Sequence, residues 1–134
     1  MGKVDLDSLF IDLKELLQSF DADATLELRE ETIGTQAKEK KAALHLYGKA
    51  EVSISGRKAQ QTYIAGVIRQ KHYVGFYSMP IYSHPKQFKL SAALDKARSG
   101  KSCFHIKTDD PTVHAELKEL LSAGIELYRN EGWV

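Results

Sequence analysis

The fold is decided by one aromatic stretch, Lys71-His-Tyr-Val-Gly-Phe-Tyr-Ser-Met-Pro-Ile-Tyr-Ser-His-Pro85. In an extended chain, Tyr73 and Tyr77 point to one side and aliphatic and phenyl groups point to the other, which is typical of a strand with two different faces. Pro80 and Pro85 end any further strand pairing because proline has no backbone N–H to donate. The stretch therefore predicts a sheet strand that leads into a loop bounded by prolines.

Apolar periodicity predicts helices at both ends of the chain. Apolar residues recur every three or four positions from Leu6 to Phe20, and again from Asp109-Asp110-Pro111 to Gly132, as on one side of a helix. Between these helices, alternation predicts strands at 24–29, 44–47, 51–54, 63–69, 73–78 and 101–107. The segment 32–41 has no apolar period and is predicted to be a mobile connection.

Short connections between consecutive strands favour antiparallel pairing. Gly48-Lys49 is predicted to turn one hairpin and Gln70-Lys71 the next, and a short helical segment is expected before Ser99-Gly100. The predicted fold class is α+β, a single antiparallel sheet of about five to six strands with the N-terminal and C-terminal helices packed on it. Because 134 residues is the size of one domain, residues 1–134 are predicted to form a single domain.

Composition disfavours several partners. The 18 acidic and 19 basic residues nearly cancel, which leaves no net field to attract nucleic acid. We expect no membrane insertion, since no eighteen apolar residues follow one another, and no secretion, since the start lacks the apolar run of a signal peptide. Cys103 is the only cysteine, which excludes an intrachain disulfide and suits a reducing compartment. We therefore expect a cytoplasmic protein.

Polar side chains around the aromatic strand predict a ligand site. Met79, Tyr82 and His84 fall on the loop after the strand, where ligand sites commonly form. In a later strand, Cys103 and His105 point to one side, roughly 7 Å apart between α-carbons. The predicted ligand-binding residues are Tyr73, Tyr77, Met79, Tyr82, His84, Lys101, Cys103 and His105. The alternative is that the cluster only packs the core, the commoner role of aromatic residues.

The N-terminal segment carries the marked charge asymmetry, with nine acidic residues against three basic ones up to Glu31. Clustered carboxylates bind Fe²⁺, Mn²⁺ or Ca²⁺ loosely through oxygen. The predicted ligands for weak Fe²⁺ binding are Asp5, Asp12, Glu15, Asp21 and Asp23. A solvated helix face is the alternative explanation. No other cofactor is expected.

The sequence does not favour an enzyme, because no nucleophile, base and orienting group stand together in it. The leading interpretation is a non-enzymatic domain that binds a small molecule or a protein. Catalysis by Cys103 with His105 is an alternative, and it requires a thiol pKa below the ordinary value. The sequence does not indicate an oligomeric state.

One glycine interrupts the apolar stripe of the C-terminal helix. Gly124 follows Leu117 and Leu121 on the side expected to face the sheet, although glycine in a helix costs about 1 kcal/mol against alanine. We therefore expect the helix to cross another backbone closely at this point, at Gly75 or at the strand of Phe104.

Three segments carry a family resemblance: Tyr73-Val-Gly-Phe-Tyr-Ser-Met-Pro-Ile-Tyr82, Gly100-Lys-Ser-Cys-Phe-His-Ile-Lys107, and the end of the last helix with Tyr128 and Gly132-Trp133. Over residues 60–133, the chain resembles the YdhG-like family, small bacterial domains largely of unknown function. The resemblance implies an α+β fold with an antiparallel sheet. It also implies a role as an iron chaperone, a label that some members of the family carry.

Overall fold

The computed structural model describes residues 5–33 and 41–134 of the chain. In chain order, its elements are helix α1 (Leu6–Gln18), strands β1 (Leu26–Ile33), β2 (Lys41–Val52), β3 (Gln60–Arg69) and β4 (Val74–Ser78), helix α2 (Met79–Ser83), a 3-10 turn (Pro85–Gln87), helix α3 (Ala92–Ala97), strands β5 (Arg98–Ser99) and β6 (Cys103–Ile106), and helix α4 (Pro111–Asn130). None of the helices in these ranges is long and apolar enough to cross a membrane.

The described strands join one sheet in the order β1-β2-β3-β4-β6-β5, and every neighbouring pair is antiparallel. This architecture confirms the predicted α+β class, with helices at the N-terminal and C-terminal ends of the chain. The hairpin of β3 and β4 closes where the backbone N–H of Gln70 donates to the carbonyl of Tyr73 at 3.0 Å. The aromatic stretch thus forms β4, an interior strand between β3 and β6.

Strand β4 has two chemically different sides, as its alternation predicts. The side that we call the Phe76 face carries Val74, Phe76, Phe104 and Ile106. These residues are buried and join one core cluster with the buried side chains of α1, α3 and α4. The opposite side, the Tyr77 face, carries Tyr73, Tyr77, Cys103 and His105, all half-buried. The helices therefore contribute to the core on the Phe76 face.

Both long helices begin at aspartate caps. The Asp5 side chain accepts a hydrogen bond from the backbone N–H of Asp7 at the start of α1, and Asp110 does the same for Thr112 at the start of α4. Each bond satisfies a donor that the first helical turn leaves unpaired. Just beyond α4, Gly132 has a φ of 79°, which suits glycine at a helix end.

One predicted hairpin is wrong, because Gly48-Lys49 does not turn the chain. Strand β2 runs through this dipeptide, and its pairing with β3 becomes irregular after Leu46. A β-carbon on Gly48 would lie 3.3 Å from the backbone oxygen of Trp133, so close packing accounts for the glycine. The turn comes later, at Ser55-Gly56, where φ is 54° and 76°.

Two further predictions need correction. The loop expected after β4 is helix α2, and Pro80 lies in its first turn, where a missing N–H costs no helical hydrogen bond. Gly124 is buried as expected, but its close neighbour is Pro80 rather than Gly75 or the strand of Phe104. An added β-carbon on Gly124 would lie 2.6 Å from Cγ of Pro80. The close approach therefore joins α4 to α2 and not to the sheet.

The connection predicted at 32–41 falls mainly on residues 34–40, which lie outside the described residues. Its ends belong to the sheet, because Ile33 of β1 and Lys41 of β2 are register partners. The strands therefore extend further into this segment than the missing apolar period predicts.

Candidate functional site

A cleft of about 500 Å³ opens where α2 and the C-terminal end of α4 meet the connection between β2 and β3. Its volume lies in the range of about 300–1,000 Å³ that is usual for small-molecule sites. Five aromatic residues line it, namely Tyr47, Tyr63, Tyr82, Tyr128 and Trp133. Aromatic rings offer a large apolar surface with few rotatable bonds, so this lining suits a flat apolar ligand.

Irregular strand pairing forms one wall of the cleft. The register between β2 and β3 shifts between Tyr47 and Glu51, so the two strands are not joined by a regular ladder there. The hydroxyl of Ser53 then donates to the carbonyl of Arg57 and closes the loop after β2. That loop carries Arg57 and Lys58, which both line the cleft.

The cleft is cationic. Among the described residues that line it, Arg57 and Lys58 are the charged ones, and none carries a carboxylate. The buried hydroxyl of Thr62, another lining residue, has no hydrogen-bond partner within residues 5–33 and 41–134. Leaving a buried hydroxyl unpaired costs about 1–3 kcal/mol. The wall thus offers two positive charges to a ligand, and the Thr62 hydroxyl stays buried behind it.

Ser83 ends α2 at the cleft and contacts two polar side chains. Its Oγ lies 2.8 Å from Nδ1 of His84 and 3.0 Å from the hydroxyl of Tyr128. On the far side of the imidazole, Nε2 of His84 lies 3.5 Å from the carboxylate of Glu131. The fold therefore brings together a hydroxyl, an imidazole and a carboxylate, the three groups that the sequence does not show together.

Aromatic packing surrounds this imidazole. The ring centroid of Trp133 lies 5.6 Å from that of His84 and 5.0 Å from that of Tyr128. Burial raises the pKa of the Tyr128 hydroxyl, and the hydrogen bond with Ser83 offsets part of that rise. A phenol with a raised pKa stays protonated at neutral pH, so Tyr128 is available as a hydrogen-bond donor.

Sequence reasoning missed most of this site. The adjacent pair Ser83-His84 was a usable signal, because a hydroxyl beside an imidazole is the minimum of an activated nucleophile. No local pattern connects that pair with Glu131, which contacts His84 from the end of α4, or with Arg57, which lines the same cleft from the loop after β2. Only the tertiary fold brings these groups together.

The eight predicted ligand residues separate into two groups. Met79 and Tyr82 line the cleft, and His84 contacts it through Ser83. Tyr82 is 56% exposed, and Nζ of Lys101 lies 5.8 Å from its ring centroid. These four residues therefore belong to the cleft or its rim.

The other four predicted ligand residues lie on the Tyr77 face. Tyr73 and His105 stack, with ring centroids 3.9 Å apart and 20° between the planes. Tyr77 and Cys103 are register partners of β4 and β6. Burial raises the pKa of Tyr77 to about 12, and the neighbouring Cys103 adds to this rise. Each of the four thus has its partner within the same face.

The environment of Cys103 does not favour thiol catalysis. Burial raises the pKa of its thiol, and the hydrogen bond from Tyr77 offsets part of that rise. A nucleophilic cysteine needs the opposite change, because the thiolate is the reactive form. His105, its predicted base, is stacked on Tyr73 instead.

Glycines make room for aromatic rings on the Tyr77 face. A β-carbon on Gly66 would lie 2.6 Å from Nδ1 of His45, which is 3.0 Å from the hydroxyl of Tyr63. A β-carbon on Gly75 would lie 3.0 Å from the ring of Tyr77. Side chains can therefore lie flat against the strands only because these positions lack a β-carbon.

The acidic residues predicted to bind Fe²⁺ are spread over and around α1. Asp12 and Glu15 lie on the helix, Asp5 caps its start, and Asp21 and Asp23 follow its end. The part of the chain that the structure describes contains no group of three or more His, Cys, Asp or Glu side chains placed to hold a metal ion. Weak Fe²⁺ binding stays a prediction.

Two of these carboxylates have partners of their own. The hydroxyl of Ser8 donates to Asp5 at 3.0 Å and lowers the pKa of that carboxyl. Asp23 accepts from Thr25, which lowers its pKa, and it also forms an ion pair with Arg129 at 3.0 Å. These contacts explain both aspartates as structural residues.

Comparisons with protein-family models, with curated protein sequences and with solved structures found no match for this chain. Its function is therefore inferred from the geometry of the cleft.

Proposed function

We propose that this chain is a small-molecule binding domain and that its ligand occupies the cleft between α2, the end of α4 and the loop after β2. The observation that carries the proposal is the lining of the cleft, where the described residues include five aromatic side chains and two cations around about 500 Å³. Sites of this kind hold a ligand by its apolar surface and orient it by a few polar groups.

The lining also indicates the class of ligand. Arg57 and Lys58 attract an anionic group, and hydrogen bonds to charged groups are about twice as strong as neutral ones. Tyr63, Tyr82 and Trp133 offer ring surfaces to a flat apolar body. The ligand that fits best is therefore an aromatic or otherwise flat carboxylate or phosphate of low molecular weight.

Membership of the YdhG-like family and a cytoplasmic location belong to the same proposal. The residues quoted for the resemblance include Tyr82, Tyr128 and Trp133, which line the cleft. A free thiol at Cys103 is consistent with a reducing compartment.

Binding can be tested with a matched pair of probes, 2-naphthoate and 2-naphthamide. Trp133 is the only tryptophan, so its indole N–H gives a single resonance that reports on the cleft in a ¹H–¹⁵N NMR titration. We expect 2-naphthoate to shift this resonance in a saturable way. The neutral amide should bind at least about 10-fold more weakly, because it cannot form charge-assisted bonds with the two cations.

Two double variants that each remove two positive charges test the role of Arg57 and Lys58. The double variant Arg57→Gln/Lys58→Gln should reduce the affinity for 2-naphthoate to that for the amide. The double variant Lys96→Gln/Lys107→Gln removes the same charge from exposed positions outside the cleft and should leave the affinity unchanged. The proposal fails if 2-naphthoate causes no saturable shift, or if both double variants weaken it equally.

A further inference from the structure

We propose that Ser83 is the nucleophile of an acyl-transfer site, and that the cleft hydrolyses carboxylic esters that carry an anionic group. The inference rests on the proposed function, because Ser83 lines the same cleft as Arg57 and Lys58. It adds a reaction to binding, with His84 as the base and Glu131 as the residue that positions this base.

One arrangement of protons fits the contacts of Ser83 with Tyr128 and His84, and it leaves the carbonyls of Met79 and Pro80, 3.3 and 3.4 Å from Oγ of Ser83, without the serine proton. The Tyr128 hydroxyl donates to Oγ of Ser83, and the Ser83 hydroxyl donates to Nδ1 of His84, at 3.0 and 2.8 Å. His84 then carries its proton on Nε2, which faces the Glu131 carboxylate at 3.5 Å. This tautomer leaves Nδ1 free to accept the serine proton, as a general base must.

The burial of these groups suits their roles. Ser83 is exposed to the cleft, whereas the imidazole of His84 is only 18% exposed and lies against Trp133. Glu131 is 48% exposed and reaches the imidazole from the end of α4. The nucleophile is thus accessible to a ligand, while the base is held between a carboxylate and an aromatic ring.

The reaction follows the usual two steps of a serine acyl transfer. Oγ of Ser83 attacks the ester carbonyl carbon while its proton passes to Nδ1 of His84. The tetrahedral intermediate then breaks the ester C–O bond, and the leaving alkoxide takes the proton from His84 and departs as the alcohol. Water attacks the acyl-serine with His84 again as base, which releases the carboxylic acid and restores Ser83. The net reaction is ester plus water to acid plus alcohol.

Tyr128 places a hydroxyl beside the attacking oxygen. Its hydroxyl lies 3.0 Å from the attacking oxygen, and the raised pKa keeps it protonated. By donating to Oγ, the Tyr128 hydroxyl holds the attacking oxygen in position. Arg57 and Lys58 do not touch Ser83 and serve to hold the anionic group of the ester.

The direct test uses a fluorophosphonate, a probe that labels activated serines. Oγ of Ser83 displaces fluoride from phosphorus, the P–F bond breaks, and the proton goes to His84. We expect one adduct per chain by intact mass spectrometry. Fragmentation of the tryptic peptide 72–86 should place it on Ser83 and not on Ser78 or a tyrosine. His84→Gln should slow labelling at least about 100-fold, the size of a typical general-base contribution.

Two serine variants provide the controls. Ser83→Ala should abolish the adduct, and Ser122→Ala, which changes an exposed serine of α4 far from the imidazole, should label at the normal rate. Absence of the adduct at Ser83 in the unaltered protein, or an equal labelling rate in His84→Gln, would overturn the inference.

Binding and chemistry can fail separately. If 2-naphthoate binds to the unaltered protein and to Ser83→Ala but no adduct forms, the binding function stands and the acyl-transfer site does not. If 2-naphthoate does not bind, the proposed function fails whatever the labelling shows.

Steady-state kinetics test the substrate class and the positioning residue. The 4-nitrophenyl monoester of succinate carries the expected anion, and 4-nitrophenyl acetate is its neutral counterpart. Arg57→Gln/Lys58→Gln should raise KM for the succinate ester at least 5-fold more than KM for the acetate. Glu131→Gln should lower kcat about 10-fold with KM unchanged, because it acts through His84. Equal effects on both esters, or a rise in KM alone for Glu131→Gln, would contradict these roles.

Discussion

Phe76 and Tyr77 are neighbours in β4, yet they lie in regions of different construction. Phe76 is fully buried on the Phe76 face, in one cluster with side chains of α1 and α4. Tyr77 is half-buried on the Tyr77 face, and its neighbour there is Cys103, the register partner on the next strand. One face is held by apolar packing between distant parts of the chain, and the other by pairs across adjacent strands.

The difference shows where stability and chemistry lie in this protein. Apolar packing removes a large area from water, and its contribution grows with the apolar area buried. Pairs such as Tyr73 on His105 contribute about 0.5–1.5 kcal/mol each. Substitutions on the Phe76 face should therefore cost much more stability than those on the Tyr77 face.

The largest effect is expected from Phe76→Ala, which removes a phenyl group with 0% exposure. We expect the free energy of unfolding to fall by about 3–5 kcal/mol, from lost burial and from the cavity left behind. Urea denaturation measures the change. Ile11→Ala is the control, because Ile11 is 55% exposed on α1 and its loss should change stability by no more than about 0.5 kcal/mol. If Phe76→Ala lowered the free energy of unfolding by less than Ile11→Ala does, the expected difference between buried and exposed positions would be wrong.

A smaller loss of stability is expected from Gly124→Ala, at the contact between α4 and α2. The new β-carbon would lie 2.6 Å from Cγ of Pro80, and a proline ring cannot move away as a flexible side chain can. We expect unfolding to become easier by about 1–3 kcal/mol through overpacking, although alanine is the better helix former. Ser122→Ala, exposed on the same helix, should instead stabilise by up to about 0.5 kcal/mol. A higher urea midpoint for Gly124→Ala would contradict this, because it would mean that α2 can move away from the new methyl group without loss of stability.

The smallest effect is expected from Tyr77→Phe on the Tyr77 face. At neutral pH the loss of one partly exposed hydroxyl should cost roughly 1 kcal/mol or less. Above pH 10 the unfolded chain ionises this tyrosine, whereas the folded chain keeps it neutral up to a pKa of about 12. Stability should therefore fall as pH rises from 10 to 12, and it should fall less steeply in Tyr77→Phe. Urea midpoints measured at several pH values test this, and identical slopes in both proteins would contradict it.

The fold could be predicted from sequence wherever one periodicity dominates a segment. Alternation around Phe76 and Phe104 predicts both faces of the central strands, because a buried face needs apolar residues at every second position. It fails at Gly48, which looks like a turn but lies inside β2 because Trp133 packs against it. It fails again at Pro80, which can end a strand or begin a helix, and the sequence does not distinguish these roles.

The candidate site could be predicted only in part. Met79 and Tyr82 follow the aromatic strand directly, and ligand sites commonly form at the end of a strand. Both were therefore predictable from the sequence, and both line the cleft. Arg57 and Glu131 have no periodicity or motif around them, and they come near Ser83 only through the loop after β2 and the end of α4. Chemistry built from three distant segments leaves no local pattern in a single sequence.

The contact between Pro80 and Gly124 also sets the spacing of two hydroxyls. Ser83 lies about one turn beyond Pro80 in α2, and Tyr128 lies one turn beyond Gly124 in α4. The close approach of Gly124 to the Pro80 ring and the 3.0 Å hydrogen bond between Ser83 and Tyr128 are therefore two successive contacts between the same two helices. A side chain at position 124 that pushed the two helices apart at Pro80 would also lengthen the hydrogen bond between Ser83 and Tyr128. The choice of residue at position 124 is thus limited by packing against Pro80 and also by the hydrogen-bond geometry at the cleft.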